Sequence, residues 1–163
     1  MEKKFIDKHV GSATLITTGL NISKEIACGK IVFNSQKAHQ LAQQGEQVIL
    51  VKEDINPEDI DVLKESQGFI FTHRNTLMYA LLMSKTLKKS CLFANNIDID
   101  YDNNLMKIGS NEYKEGTVVS LDGETGNIYL GAIPQVHIMG YDDLLRQNLK
   151  NRTEKIYSMN SQR

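Results

Sequence analysis

Residues 68–92 read GFIFTHRNTLMYALLMSKTLKKSCL, and this stretch decides the fold of the chain. It opens with the apolar run Phe69–Phe71, passes through the polar turn Thr72–Asn75 and continues into a helix-like segment. The pattern predicts a strand, a tight turn and a helix. The apolar face of the predicted helix consists of Leu77, Leu81 and Leu82, with Ala80 and Met83 close to it.

The polar turn is a candidate anion site formed by Thr72 and Arg74. A helix that begins directly after a strand presents free N–H groups and the positive end of its dipole to whatever lies in the turn. Arg74 would add a fixed positive charge. An ordinary strand–helix connection with solvated His73 and Arg74 fits the same residues, so the local sequence leaves both interpretations open.

Composition limits the class of protein. With 163 residues, 40% of them hydrophobic, the chain fits one domain with a sizeable core. A net charge of −1 provides no field that would attract nucleic acid or an anionic membrane. No apolar run approaches the roughly 20 residues that a membrane helix needs, and Met1–Lys4 leads into no signal-peptide core. We therefore expect a soluble, cytoplasmic protein that contacts neither nucleic acid nor membrane.

Metal and nucleotide motifs are not found in the sequence. The four histidines His9, His39, His73 and His137 are far apart and show no zinc-ligand spacing, and no glycine-rich nucleotide loop occurs. No cofactor is predicted. Cys28 and Cys91 each stand alone in apolar surroundings, which predicts two buried thiols and no disulfide.

Strands and helices alternate between residues 29 and 94. Residues 1–16 are interpreted as an N-terminal arm, with no regular element expected before Gly29. One helix is predicted from Ser35, as its N-cap, to about Gln44, and another from Asn56–Pro57 to about Ser66. The predicted strands, which should form a largely parallel sheet, are Gly29–Phe33, Gln47–Lys52, Gly68–Phe71 and Ser90–Ala94.

The second half of the chain has a different pattern. Short β-like runs are separated by turns rich in Asp, Asn and Gly, which predicts antiparallel pairing. These runs are Leu105–Ile108, Thr117–Leu121 and Asn127–Leu130. Residues 135–163 are interpreted as a C-terminal linker or helical tail, in which Leu144, Leu145 and Leu149 have helical spacing. The tail is also a candidate interaction segment.

Five stretches carry a likeness to a known family. They are TGL at 18–20, GKIVF at 29–33, GEQVILVK at 45–52, NPEDI at 56–60 and VSLDGETGNIYLG at 119–131. Residues 17–134 resemble the phosphohistidine, or swivelling, domain of the PEP-utilising enzymes, and most closely that of pyruvate phosphate dikinase. The resemblance implies an α/β fold of three layers, β/β/α. It also implies a multidomain origin, in which the domain swings between an ATP-grasp domain and a PEP/pyruvate barrel.

The family carries its phosphoryl group on a histidine in a motif of the form T-x-R-G-G-M-T-S-H-A-A. Laying this motif on Thr72 and Arg74 requires one deletion and places Tyr79 at the histidine. Leu77 and Met78 then replace the hydroxyl residues that precede it. A further S-P-G-A turn of the family is altered here to Ser23–Ile26. By this resemblance the acceptor is missing.

Two functions follow as hypotheses. The first is a degenerate phosphohistidine-like domain that is not catalytic and acts by binding a partner protein, such as an ATP-grasp or barrel domain, or an anion at Arg74. The second is a phosphoryl carrier, or part of a dikinase-type phosphotransferase, that uses His73 in place of the missing histidine. Tyr79 itself is interpreted as a packing residue, because a phenol with a pKa near 10 is a poor nucleophile.

Overall fold

The structure is a computed structural model, and it describes residues 2–138 and 145–152. The chain separates into two units. Residues 5–134 form one compact unit, whereas the described residues 2–4, 135–138 and 145–152 belong to the other. Residues 145–152 are helical, and Leu145 and Leu149 are exposed on that helix. Leu144, the third leucine of the predicted tail helix, lies outside the described residues.

The elements have the following bounds. The strands are β1 Glu2–Phe5, β2 Thr14–Thr18, β3 Leu20–Asn21, β4 Ile26–Val32, β5 Val48–Lys52, β6 Gly68–Phe71, β7 Ser90–Phe93, β8 Asp98–Asp100, β9 Leu105–Ile108, β10 Asn111–Lys114, β11 Val118–Asp122, β12 Asn127–Leu130 and β13 Gln135–Ile138. The helices are α1 Asp7–Ser12, α2 Ser35–Gln43, α3 Ile60–Glu65 and α4 Leu77–Leu87. Two short 3-10 turns, Pro57–Asp59 and Arg74–Thr76, lead into α3 and α4.

One large sheet organises the compact unit. Its eight strands lie in the order β2-β12-β11-β4-β5-β6-β7-β3. The four central strands, β4 to β7, are parallel, while β11, β12, β2 and β3 join them in antiparallel fashion. A second sheet has three antiparallel strands in the order β10-β9-β8. The predicted parallel centre and antiparallel second half are therefore confirmed.

The side chains of the central strands alternate between two cores. In β5, Val48 and Leu50 pack in the core that contains residues of α2, α3 and α4, whereas Ile49 and Val51 pack in the core that contains Met106 of the small sheet. The two cores make three layers: the small sheet, the large sheet and the helices. The three-layer β/β/α fold implied by the resemblance is confirmed.

Two expectations are wrong, one about the N-terminal segment and one about the start of α2. The segment before Gly29 contains α1 and three strands, β1 to β3, and Phe5 is buried beside Tyr129 and Ile133. Tertiary contacts therefore order a segment that has no strong periodicity of its own. The N-cap of α2 is Asn34, whose side chain accepts a hydrogen bond from the N–H of Lys37 at 3.1 Å, and not Ser35.

The predicted apolar face of α4 is also wrong in part. Ala80, Met83 and Ser84 are buried, but Leu82 is 57% exposed. The buried face is thus centred on Ala80, nearly opposite Leu82 on the helix, because an α-helix turns about 100° per residue.

Of the two cysteines, Cys91 is buried as predicted, whereas Cys28 is only half-buried, with its Sγ 3.0 Å from the Oγ of Ser120.

Two glycines, Gly123 and Gly126, allow close backbone contacts in the turns between β11 and β12, which belong to the stretches that resemble the family. A Cβ on Gly123 would lie 2.2 Å from the carbonyl oxygens of both Ser23 and Glu25. Gly126 has a φ of +80°, and a Cβ there would lie 2.2 Å from the carbonyl oxygen of Gly19. Only glycine allows these backbones to approach so closely.

Candidate functional site

The candidate site lies at the carboxyl edge of the parallel strands. The strand register places Lys52 of β5 beside Phe71 of β6, and Phe71 beside Phe93 of β7. The residues that follow these strands therefore meet at one edge, which is where open α/β sheets bind their ligands. The polar turn Thr72–Asn75, which connects β6 to α4, lies at this edge.

The backbone of this turn is tied to the loop after β5. The N–H of Thr72 donates to the carbonyl oxygens of Lys52 and Glu53 at 3.1 and 3.2 Å, and the N–H of His73 donates to that of Glu53 at 2.9 Å. The N–H of Ile55 donates to Oγ1 of Thr76 at 3.0 Å. Thr72 is buried. The N–H groups of Thr72 and His73 are therefore used within the fold and do not face an anion.

His73 lies at the surface of the site, with its side chain 50% exposed. Its Nδ1 is 3.4 Å from Oδ2 of Asp54, which follows β5. The other carboxylate oxygen of Asp54, Oδ1, is buried and has no hydrogen-bond partner among the described residues. The carboxylate of Asp54 thus orients the imidazole of His73 through Nδ1. This contact does not involve Nε2, the second ring nitrogen.

Arg74 is exposed and lies over an aromatic ring. Its Cζ is 5.7 Å from the centroid of the Phe93 ring, which is a cation–π distance. The rings of Phe93 and Phe71 are in turn 5.3 Å apart. The guanidinium packs over the Phe93 ring, which keeps Arg74 at the end of β7. Its N–H donors face solvent there.

Tyr101 is a titratable residue whose raised pKa the sequence did not indicate. It lies in the turn between β8 and β9 of the small sheet. Burial raises its pKa, and the negative charge of Glu53 raises it further. No local pattern joins Tyr101 to Glu53, because the two are 48 residues apart in the chain.

Tyr79 lies in the first turn of α4. It is partly buried and packs, with Leu77, against the core between the large sheet and the helices. Met78, between them, is 75% exposed. Leu77 and Met78 therefore differ in role, one packing inward and one facing solvent.

The altered turn Ser23–Ile26 is remote from the polar turn. Oγ of Ser23 donates to the carbonyl oxygen of Lys89 at 2.7 Å, and the N–H of Ile22 donates to that of Cys91 at 3.0 Å. Lys89 follows the end of α4, an 11-residue helix that is about 16 Å long at 1.5 Å per residue. The structure thus separates the two turns by the length of α4.

The remaining candidates form no site. His39 is exposed and pairs with Glu65 at 2.7 Å, and His9 is exposed. The side chain of His137 is not described. Within residues 2–138 and 145–152, no group of three or more His, Cys, Asp or Glu side chains is arranged to hold a metal ion. No helix in the same ranges is long and apolar enough to cross a membrane.

The fold and the polar turn can now be compared with known proteins. Residues 44–126 match the family described as the PEP-utilising enzyme, mobile domain. The chain belongs to this family. The match runs from the end of α2 through the polar turn, α4 and the small sheet to the turn at Gly126. The resemblance inferred from the five stretches is therefore confirmed.

Relatives of this mobile domain are pyruvate, phosphate dikinases. The chain is 32% identical over 132 residues to that of Rhizobium meliloti (strain 1021), covering 80% of this chain and 15% of the relative. It is 32% identical over 127 residues to that of Giardia intestinalis, covering 77% and 14%. It is 31% identical over 121 residues to pyruvate, phosphate dikinase 2 of Zea mays, covering 74% and 14%. The chain thus spans about one seventh of the length of these enzymes.

Proposed function

We propose that this chain is a non-catalytic member of the mobile-domain family that acts by binding and carries no phosphoryl group. The observation that supports the proposal is the position of Tyr79. The family motif, laid on the chain with one deletion, has its acceptor histidine at Tyr79, and the Tyr79 side chain packs against the core between the large sheet and the helices. The neighbouring Leu77 and Met78 supply no hydroxyl donors. The glycine turns and the β/β/α fold of the family are nevertheless kept.

Chemistry disfavours Tyr79 as a substitute acceptor. A phosphoryl carrier needs a nucleophile that is available near neutral pH and a product that gives the group up again. A phenol has a reference pKa of about 10, and its phosphate ester is too stable to pass the phosphoryl group on to pyruvate. Imidazole meets both requirements. We therefore expect Tyr79 to act in packing alone.

We predict that the chain gains no phosphoryl group from PEP or ATP. The experiment incubates the full chain with each donor, together with a Rhizobium meliloti dikinase that lacks its own mobile domain, and measures intact mass at neutral pH. The isolated mobile domain of the same dikinase is the positive control. A mass gain of one phosphoryl group, lost in acid, would contradict the proposal.

A second candidate function is a phosphoryl carrier that uses His73. The observation in its favour is the His73–Asp54 pair, with Nδ1 and Oδ2 3.4 Å apart. This pairing favours the tautomer whose proton is on Nδ1 and leaves Nε2 as the nucleophile. The mass experiment with His73→Gln separates the two functions. An acid-labile gain in the original chain that is absent from His73→Gln would establish the carrier and exclude the binding role alone.

We also propose that the chain binds an anion, and that Arg74 is the residue that binds it. Thr72 is buried and its N–H is bonded within the fold, so only Arg74 of the two predicted residues has exposed donors. The ring of Phe93 holds the Arg74 guanidinium in place.

We predict that Arg74→Gln weakens the binding of PEP about tenfold. A hydrogen bond from a charged donor contributes about 1.5–3 kcal/mol, and 1.4 kcal/mol corresponds to a factor of ten. Titration calorimetry with PEP and with inorganic phosphate measures the effect. Lys64→Gln, which removes an exposed cation on α3, is the matched control. Equal affinity of the Arg74→Gln variant and the original chain would remove Arg74 from the proposal.

Partners of this domain are proposed from its family. The relatives are multidomain dikinases of which the chain matches about one seventh, so domains of the ATP-grasp and PEP/pyruvate-barrel type are the first partners to test. Binding to such domains requires no phosphoryl chemistry in this chain.

A further inference from the structure

The outward side of α4 carries apolar side chains that are exposed. Met78 is 75% exposed and Leu82 is 57% exposed. The two are four residues apart, so they are neighbours on the helix surface. The opposite side of α4 is buried through Ala80 and Met83. A helix with apolar residues on both sides is typical of a helix that is covered on both sides.

Positive charge surrounds the exposed pair. Lys85 lies three residues after Leu82, on the same side of the helix, while Arg74 and Lys88 lie beyond its two ends. None of these three cations takes part in an ion pair within the described part of the chain. The sequence contains no Asp or Glu between Glu65 and Asp98. The charged side chains of α4 and of the residues that adjoin it in the chain are therefore all basic, and they accompany two exposed apolar side chains.

Two carboxylates on the neighbouring elements are engaged elsewhere. Glu65 at the end of α3 binds His39 at 2.7 Å and Gln43 at 3.2 Å, both on α2. Asp59, before α3, binds Lys52. Neither of these two carboxylates pairs with a cation of α4.

We infer that this surface, here called the α4 face and defined by Met78, Leu82 and Lys85 with Arg74 and Lys88 at its ends, docks a protein partner. The contact surface of that partner is an apolar pocket bordered by carboxylates. The two apolar side chains fill the pocket, and the cations pair with its border. The inference rests on the proposed function, in which the chain acts by binding, and it names the surface and the chemistry of the partner.

Charge argues against a second copy as the occupant, and the small apolar area argues against a membrane. A second copy docked symmetrically through the same face would bring like charges together, which opposes association. A helix that binds a membrane surface buries a large apolar face, whereas α4 presents two exposed apolar side chains. A protein pocket with an apolar centre and carboxylates at its border complements both the apolar and the basic side chains of the α4 face.

The test uses a peptide with the inferred chemistry. The ¹⁵N-labelled full chain is titrated with a short amphipathic peptide of Leu and Glu, and with a matched peptide of Leu and Lys. We expect the Leu–Glu peptide to shift amide resonances of α4, and the Leu–Lys peptide to leave them unchanged. Lys85→Glu, and separately Met78→Ser combined with Leu82→Ser, should each weaken the binding about tenfold or more. Leu15→Ser, at a 51% exposed leucine of β2, is the matched control and should bind as the original chain does.

Several results would overturn the inference. They are equal binding of the two peptides, shifts that map away from α4, and unchanged affinity of the α4 variants. Anionic vesicles that shift the same resonances would assign the face to a membrane, and shifts on raising the protein concentration alone would assign it to a second copy. The resonances outside α4 report whether each variant is folded. A phosphoryl gain in the mass experiment would overturn the proposed function without changing the peptide result, so the two failures are distinguishable.

Discussion

Gly123→Ala is expected to lower the free energy of unfolding by about 3 kcal/mol or more, because the new methyl group has no space. Its Cβ would lie 2.2 Å from the carbonyl oxygens of Ser23 and Glu25 and 2.6 Å from the carbonyl carbon of Lys24. All three atoms belong to the backbone, so no side chain can rotate away. The N–H of Gly123 also donates to the carbonyl oxygen of Glu25 at 3.1 Å, and separating the turns would break that bond.

Chemical unfolding followed by far-ultraviolet circular dichroism measures this effect, since the chain contains no Trp. Gly11→Ala is the matched control. It lies in α1 with no atom within 4 Å of its Cβ, and alanine there should change stability by less than about 1 kcal/mol, in the stabilising direction. A Gly123→Ala variant as stable as Gly11→Ala would show that the two turns do not pack as described.

Asp59→Asn is expected to lower the free energy of unfolding by about 3 kcal/mol at neutral pH, because it breaks a buried ion pair. Asp59 is 4% exposed. Its two carboxylate oxygens each accept from Nζ of Lys52 at 2.9 Å. They also accept from the hydroxyl of Ser35 at 2.8 Å and the N–H of Asn56 at 2.9 Å. The carboxylate thus joins the end of β5 to the starts of α2 and α3.

The effect of this substitution should depend on pH. Burial alone raises the pKa of Asp59, but the hydrogen bonds from Lys52, the N–H of Asn56 and Ser35, with the charge of Lys52, outweigh it, so the net pKa is lowered. A carboxyl group with a lowered folded-state pKa stabilises the fold above its unfolded pKa of about 3.9, and this contribution is lost as the pH falls through the folded value.

The difference in stability between the original chain and Asp59→Asn should therefore be full at neutral pH and disappear in strong acid. Asp61→Asn, at an exposed carboxylate of α3, is the control and should change stability by less than about 0.5 kcal/mol at any pH. A difference that persists unchanged at pH 2 would mean that the charge of Asp59 does not stabilise the fold.

Local patterns were sufficient for most of the architecture. The apolar run of β5, the turn before α4 and the Asp-Gly and Thr-Gly turns after β11 each depend on residues close together in the chain. Backbone propensity, turn chemistry and hydrophobic period act over such distances, and they predicted the α/β pattern and the antiparallel second half. The confirmed family likeness also rests on these stretches.

The candidate site was predictable only in part. The polar turn and its residues Thr72, His73 and Arg74 were found from the sequence, because a strand followed by a polar turn and a helix is a local pattern. The sequence did not indicate that Asp54 pairs with His73 or that Phe93 supports Arg74. These partners come from other strands, and only the parallel register brings their ends together.

The sequence by itself determined where strands, turns and helices lie in the central part of the chain, because those choices depend on neighbouring residues. The tertiary structure decided which side of each element is buried. Leu82 belongs to an apolar pattern yet faces outward, whereas Asp59, an acid in a first helical turn, is buried because Lys52 lies within reach. Burial depends on what packs against an element, and those contacts come from residues far apart in the chain.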